Sequence, residues 1–398
     1  MSKKSHLPSK ILVVDGDGAI TNTVTSICAK HQIDVTAAQT WQNALYHFNN
    51  ARYETCLVEL DLSEMKGPTL LQKWRHHEIE SKRGSGFILM LGKPQTAAHN
   101  ALAHEIGDTI FMQKPIKEPI LLSLLAKIYA LKRQAEKIEE IKDKLITPLL
   151  EKGDVESLKT LATGKLKQMG VRGKELAAKV LCDVKEIEKA IFAYKDLHTQ
   201  LPSNMFYVNE IGRLELSQGN LDKAKEAYEK ADKIAPENVS RLKEMARMYL
   251  MLEEPKKGVD KYEEILAIDP DEPEKKYDMF EELQSFGYDK HAMELCRKTT
   301  APLELIRYYN NKGVLLSKSQ DFSGAISQYE TAKKLIPSAK ELYLILFNEA
   351  IAHMNLKDEK HMEKAFQLLT QCVKMKPDYE KAREKMKLLE KRGYPKAG

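Results

Sequence analysis

The chain has 398 residues, 42% of them hydrophobic and 30% charged, with a formal net charge of +5. That length and balance suit two or three folded domains and exclude a disordered chain. The charge is spread, +2 on residues 1–130 and +3 on the rest, which excludes a strongly basic nucleic-acid-binding domain.

The opening stretch "MSKKSHLPSKILVVD" is basic, but its apolar run is four residues long and meets Asp15 at once. It reads as a first strand rather than a signal peptide. No apolar run approaches the roughly 18 residues of a membrane helix, so no membrane insertion is expected. The five cysteines, Cys28, Cys56, Cys182, Cys296 and Cys372, are scattered and form no CxxC pair. They read as buried free thiols of a cytoplasmic protein.

In chain order, "KILVV" predicts a strand, "ITNTVTSICAKH" a helix, "IDVTAA" a strand and "WQNALYHFNN" a helix. Then come the strand "TCLVE", a helix from Pro68 to about His76, the strand "FILML", a helix from about Thr96 to Ile106, the strand "TIFMQ" and a helix from near Glu118. Five strands alternating with five helices predict a doubly wound five-stranded parallel sheet covered on both faces. Sites in such folds lie at the carboxyl ends of strands. There the sequence places Asp15-Gly16-Asp17 after the first strand, Glu59 at the end of the third, Gly92-Lys93 after the fourth and Lys114-Pro115 after the fifth. Two carboxylates and a lysine suit a hard cation and a phosphoryl group.

Over about residues 9–130 this arrangement resembles the receiver domain of two-component response regulators. The resemblance implies a flavodoxin-like α/β fold and phosphotransfer from a histidine kinase to an aspartate, with magnesium. Position by position the pattern is degenerate. Asp15 matches the first acid of the acidic pair, but Gly16 stands where the second, metal-binding acid belongs. Glu59 stands at the phosphoacceptor aspartate, because the loop-closing Gly67 follows at the family's distance. Ser63 replaces a proline, and Gly92 replaces the hydroxyl residue that contacts the phosphoryl group. Lys114 is retained, and Phe111 matches the aromatic switch position. Glutamate carries its carboxylate one methylene further out, and misplacement by about 1 Å can cost on the order of a hundredfold in rate. A missing acid removes a direct oxygen ligand from an ion that demands a near-ideal octahedron. A pseudo-receiver that does not cycle by phosphorylation is expected, with at most weak magnesium binding at Asp15, Asp17 and Glu59. Two alternatives stay open: Asp61 is the acceptor if the loop is two residues shorter, and Asp17 either replaces the missing ligand or caps the first helix. Of the histidines, His76-His77 are adjacent and His99 and His104 are five apart, so neither pair has the spacing of a helical metal pair.

From Glu118 onward the apolar positions Leu121, Leu125, Ile128, Leu131, Ala135, Ile138, Ile141 and Leu145 keep one helical face. The last helix therefore continues past the domain, as a strut packed on its neighbours or as the seam of a homodimer. Residues 131–170 read as this extended linker helix with a degenerate first repeat.

The remainder is periodic. Pro202, Pro236 and Pro270 recur at 34-residue intervals, each closing a helix-like stretch, and a later copy ends at Pro337. In the copy from Met205, the residues Gly212, Ala224, Tyr228, Ala231 and Pro236 stand at positions 8, 20, 24, 27 and 32. Gly313, Ala325, Tyr329, Ala332 and Pro337 repeat the pattern. This resembles tetratricopeptide repeats. About five repeats are expected over 171–378, forming an all-α solenoid, with a charged capping helix and tail over 379–398. The inner wall comes from the first helix of each pair, and Asn209, Arg213, Lys243, Arg247 and Asn310 are expected on it. Such groups suit an acidic segment or a free C-terminal carboxylate. No nucleophile–base pair, phosphate loop or metal quartet appears. The sequence therefore reads as a non-enzymatic bacterial signalling adaptor that binds protein partners, needs no cofactor and does not bind nucleic acid. The alternative is a phosphorylation-controlled regulator with the repeats as its output.

Overall fold

The computed structural model describes residues 6–75, 85–269 and 273–394. The chain forms two compact units, Met1–Glu272 and Pro273–Gly398.

The first unit opens with five strands, β1 (Lys10–Val14), β2 (Asp34–Ala38), β3 (Thr55–Glu59), β4 (Gly86–Leu91) and β5 (Thr109–Gln113). They form one parallel sheet in the order β2-β1-β3-β4-β5. Between them run α1 (Ala19–Lys30), α2 (Trp41–Asn50), α3 (Gly67–Arg75) and α4 (Ala97–Ile106). His76 and His77, to which the sequence reading extended α3, lie outside the described residues. Strand side chains alternate between two layers, as the pleat requires. Leu12, Val14, Cys56, Val58, Phe87 and Leu89 pack on the α2–α4 side, with Phe48, Trp74 and Ile106. Ile11, Val13, Leu57, Ile88 and Met90 pack on the other side, with Val24, Ile27 and Leu125. Trp74 is fully buried and stacks on Phe48 with ring centroids 4.5 Å apart. Burying side chains of this size contributes about 1.5–3 kcal/mol each.

The helix α5 (Glu118–Ile141) begins on the sheet and outruns it. Leu121, Leu125 and Ile128 are fully buried against the strands, and Leu131 joins them. Further along, Ile138 and Ile141 pack into the core of the first helical repeats. One π-helical turn, Lys142–Ile146, leads into α6 (Thr147–Lys152), and α7 (Val155–Thr163) follows. The apolar stripe is thus covered by this chain's own residues at both ends. The packing is that of a strut held by its neighbours.

Three helical pairs complete the first unit: α8 (Gly170–Asp183) with α9 (Ile187–Gln200), α10 (Met205–Ser217) with α11 (Leu221–Ile234), and α12 (Val239–Met251) with α13 (Pro255–Ile268). Pro270, the third of the spaced prolines, lies outside the described residues. The spacing has a direct packing cause. A Cβ on Gly212 would sit 2.8 Å from the Tyr228 ring, so only glycine lets the two helices close over that aromatic.

The second unit contains α14 (Pro273–Ser285) with α15 (Asp289–Thr299), α16 (Pro302–Lys318) with α17 (Phe322–Leu335), and α18 (Leu342–Leu356) with α19 (Glu359–Met375). The helix α20 (Glu380–Glu390) follows, with Ala382 and Leu389 buried against the last pair. Gly313 stands to Tyr329 as Gly212 does to Tyr228, with clashes for any Cβ from 2.4 Å. The described residues thus hold six pairs after residue 169, where about five repeats were expected. In the copy from Pro273 the aromatic at position 24 is replaced by Cys296, which is fully buried.

Candidate functional site

The strand ends bring Asp15, Glu59 and Lys114 together as the sequence order implies. Asp15 is fully buried. Its Oδ2 accepts the backbone N–H groups of Ile20 and Thr21 at 2.8 and 3.0 Å, tying the carboxylate to the start of α1. Its Oδ1 is buried with no hydrogen-bond partner. Burial pushes the Asp15 carboxyl above the usual carboxylate range, against the pull of those two N–H groups. Glu59 ends β3 and turns its carboxylate back into the pocket. One oxygen pairs with Lys114 Nζ, and the other accepts the Gly16 N–H at 3.2 Å. The loop after it must pass close, since a Cβ on Gly67 would lie 2.3 Å from the Glu59 carbonyl oxygen. That contact is the physical reason for a glycine at this distance from the strand end.

Asp61 lies beyond the pocket, exposed, in an isolated backbone bridge with Lys66. The carboxylate that meets Lys114 is therefore that of Glu59 and not of Asp61. Asp17 Oδ1 accepts the Ala19 N–H at 2.9 Å, the local capping role. Gly92 has open space where a side chain would begin. Phe111 is half-buried, with its ring centroid 5.9 Å from that of His99, which itself closes a capping box with Thr96. Asp15 Oδ2 and Asp17 Oδ1 serve α1, both Glu59 oxygens are engaged by Lys114 and Gly16, and Gly16 supplies no side chain, while Asp15 Oδ1 stays buried without a partner. A magnesium ion, usually held by one or two carboxylates and several waters, would have to displace the contacts of Glu59 to gain a second carboxylate here.

A second arrangement in the first unit escaped the sequence reading. The helix α4 is buried on two sides. Leu102 and Ile106 face the sheet, while Ala101 packs against Met205, Val208, Ala231 and Ala235 of the repeats. One turn after Ala101, the Glu105 side chain meets Arg241, at 1% and 0% exposure. Asn209 Nδ2 donates to Glu105 Oε1 at 2.7 Å, and Asn238 Nδ2 donates to Oε2 at 3.1 Å. Arg241 also reaches Asp232 at 3.2 Å, Asn209 Oδ1 at 3.3 Å and the Ala235 carbonyl. Both side chains are buried, both Glu105 oxygens accept hydrogen bonds and Arg241 makes four, the condition under which a buried ion pair persists.

The contact extends along one rim of the solenoid, where first helices begin and second helices end. Asp108 pairs with Arg172 at the start of α8. Gln72 accepts the Val239 N–H at 3.1 Å and donates to the Glu237 carbonyl at 3.2 Å. Lys66, in the loop after Glu59, pairs with Glu237, and Lys73 pairs with Asp269 at 2.8 Å, where Asp269 is 2% exposed. Arg75 braces this edge internally, donating to the carbonyls of Ile106, Ser85 and Gly107 at 2.7–2.9 Å. Burial lowers its pKa to about 10.

This corrects one expectation: Asn209 is held inside the chain by Glu105 and Arg241, so it is not open to a partner. The second face of α4 lies on the repeats. Arg213, Lys243 and Arg247 remain exposed. Arg213 pairs with Glu210 at 2.8 Å and borders two adjoining grooves of about 470 and 290 Å³. Tyr194 lines the first and Tyr228 the second. Both hydroxyls are buried without a hydrogen-bond partner. Glu210 and Glu244 line the second groove together with Arg213 and Tyr228. In the second unit Asn310 Oδ1 accepts from Asn348 at 2.6 Å.

Residues 11–126 match the family model for the response regulator receiver domain. Residues 207–238 and 306–338 match that of the tetratricopeptide repeat. The chain joins a receiver domain to tetratricopeptide repeats. Among curated proteins it is 26% identical to the BBSome complex member BBS4 of Bos taurus over 197 residues, 49% of this chain. The chain spans 36% of the length of that relative. Among solved structures, the CheY-like receiver domain protein of Methanospirillum hungatei JF-1 is 22% identical, covering 32% of this chain and 98% of its own, with a TM-score of 0.29. The chemotaxis response regulator CheY4 of Vibrio cholerae is 18% identical, covering 30% and 98%, with a TM-score of 0.28. Among the described residues no helix is long and apolar enough to cross a membrane.

Proposed function

We propose that the protein is a non-enzymatic signalling scaffold of the bacterial cytoplasm, in which the receiver is a fixed part of the repeat surface and not a phosphorylation switch. The observation that carries this reading is the self-closure of the acid pocket: Lys114 and the Gly16 N–H both serve Glu59. A carboxylate on a longer arm takes the contacts that a metal and a phosphoryl group would need. The rim contacts support the same reading, because a receiver held by a buried ion pair is poorly suited to release. All five cysteines are free thiols, in keeping with a reducing compartment.

Partner binding falls to the inner wall beyond the rim. Arg213 borders a groove lined by Tyr228, whose buried hydroxyl lacks an acceptor, and Arg247 is exposed on the next first helix. An acidic segment or a C-terminal carboxylate supplies acceptors for both kinds of donor. The membership of the curated relative in a multiprotein complex accords with an assembly role. The experiment is comparative capture with the full chain. Arg213→Glu with Arg247→Glu is expected to lose proteins that the wild type captures, with an unchanged melting temperature, since exposed substitutions usually stay within about 0.5 kcal/mol. Identical capture by the double variant contradicts the assignment of the wall.

A further inference from the structure

We propose that His353 and His361 form a binding site for one late first-row divalent cation, of the zinc, nickel or copper class, across the turn between α18 and α19. His353 stands one turn before the end of α18 and is 6% exposed. His361 stands in the first turn of α19, where Asp358 Oδ1 accepts its backbone N–H at 2.9 Å. The two Nδ1 atoms face each other at 2.6 Å, with ring centroids 4.8 Å apart. The other Asp358 oxygen lies 3.6 Å from His361 Nε2. A carboxylate this near, though beyond hydrogen-bond distance, electrostatically favours the tautomer protonated at Nε2 and leaves Nδ1 as a lone pair.

Two ring nitrogens at this separation need a proton or a cation between them. Imidazole pairs suit zinc, nickel and copper, whereas magnesium and calcium prefer oxygen. A tetrahedral ion with metal–nitrogen distances of about 2.0–2.1 Å holds its nitrogens about 3.3 Å apart. Loading therefore opens the pair by less than about 1 Å. His361, with its side chain 32% exposed, is the ring with room to move. Among the described residues no third histidine, cysteine or carboxylate completes a metal cluster here. Water fills the remaining positions, and the site is weaker than a four-ligand structural zinc centre. Lys333 and Lys364 bring positive charge that opposes a cation near His353, and the negative charge of Asp358 favours it. Bound metal ties the last two helices of the solenoid together at their connecting turn, a site separate from the receiver pocket.

The test is calorimetric titration of the full chain with zinc chloride, then nickel chloride, beside thermal melting with and without the metal. One saturable equivalent is expected, together with a zinc-dependent rise in the melting transition of the Pro273–Gly398 unit. His361→Gln, at a half-exposed position, is expected to weaken binding at least about tenfold and to remove the zinc-dependent rise. His353→Gln is expected to do the same. Absence of saturable binding overturns the proposal and leaves a shared proton between the rings. Undiminished binding by a folded His361→Gln protein overturns it equally, by placing the metal elsewhere.

Discussion

Arg241→Ala is expected to destabilise the Met1–Glu272 unit by about 3–5 kcal/mol, the cost of leaving a buried charge without its partner. The substitution strands the Glu105 carboxylate, whose side chain is 1% exposed. It also frees the Ala235 carbonyl and Asp232 from their guanidinium donors. Glu105→Ala is expected to cost a similar amount, because Arg241 then lies fully buried without a carboxylate from α4. Arg241→Met combined with Glu105→Leu is expected to recover most of the loss, since an apolar pair of similar volume often replaces a buried ion pair at little or no cost. Urea unfolding of the full chain, following the transition of the first unit, measures each variant and the coupling between them. A single Arg241→Ala variant within about 0.5 kcal/mol of wild type would mean that the rim contact is loose in solution.

The second large effect is a gain. Gly16→Asp, Glu59→Asp and Gly92→Ser together are expected to restore magnesium binding and labelling by acetyl phosphate. The fold leaves room for all three. A Cβ on Gly16 has only Glu59 Oε2 nearby, at 3.8 Å, and a Cβ on Gly92 meets nothing within 4 Å. Shortening residue 59 withdraws the carboxylate from Lys114, and the new acid at position 16 supplies the missing oxygen. Magnesium affinity is expected to rise at least about tenfold, the usual scale for recovering a metal partner. The labelling rate is expected to rise on the order of a hundredfold, the scale of a correction of about 1 Å. Calorimetry and intact mass read the two outcomes. A triple variant that folds, binds magnesium and still takes no phosphoryl group would show that the rim contact, and not the pocket, blocks the chemistry.

Local patterns carried most of the fold in the sequence. Unbroken apolar runs, buried at nearly every position in β1, β3 and β4, and the turn residues between them mark the sheet, and α2 begins at Trp41 as its pattern predicts. Gly212 with Tyr228, and Gly313 with Tyr329, announce their packing because glycine at one position and a ring at another make sense only together. The pocket residues were legible for the same reason, since strand ends converge in a parallel sheet. The rim was not. Arg241 reads as one more charge on a repeat helix, and Glu105 as one more on α4, and no periodicity links residues 136 positions apart. One faint sign exists in α4. Its second face carries Ala101 where a solvated helix would more often carry a long polar side chain, and small residues allow a close helix approach. Asn209 was misassigned because a position on a first helix says which wall it faces, but not whether the chain's own domain already stands there.

The native receiver is expected not to accept a phosphoryl group. Intact-mass analysis of the wild-type full chain after incubation with acetyl phosphate and magnesium measures this most directly. A single unmodified species is expected, because Glu59 is held by Lys114 and the Gly16 N–H. An acid-stable, base-labile adduct of one phosphoryl group, lost in Glu59→Ala or in Asp61→Ala, would contradict it. That result would instead support phosphorylation control of the repeats, with Lys66 and Glu237 as the connection between the pocket loop and the rim.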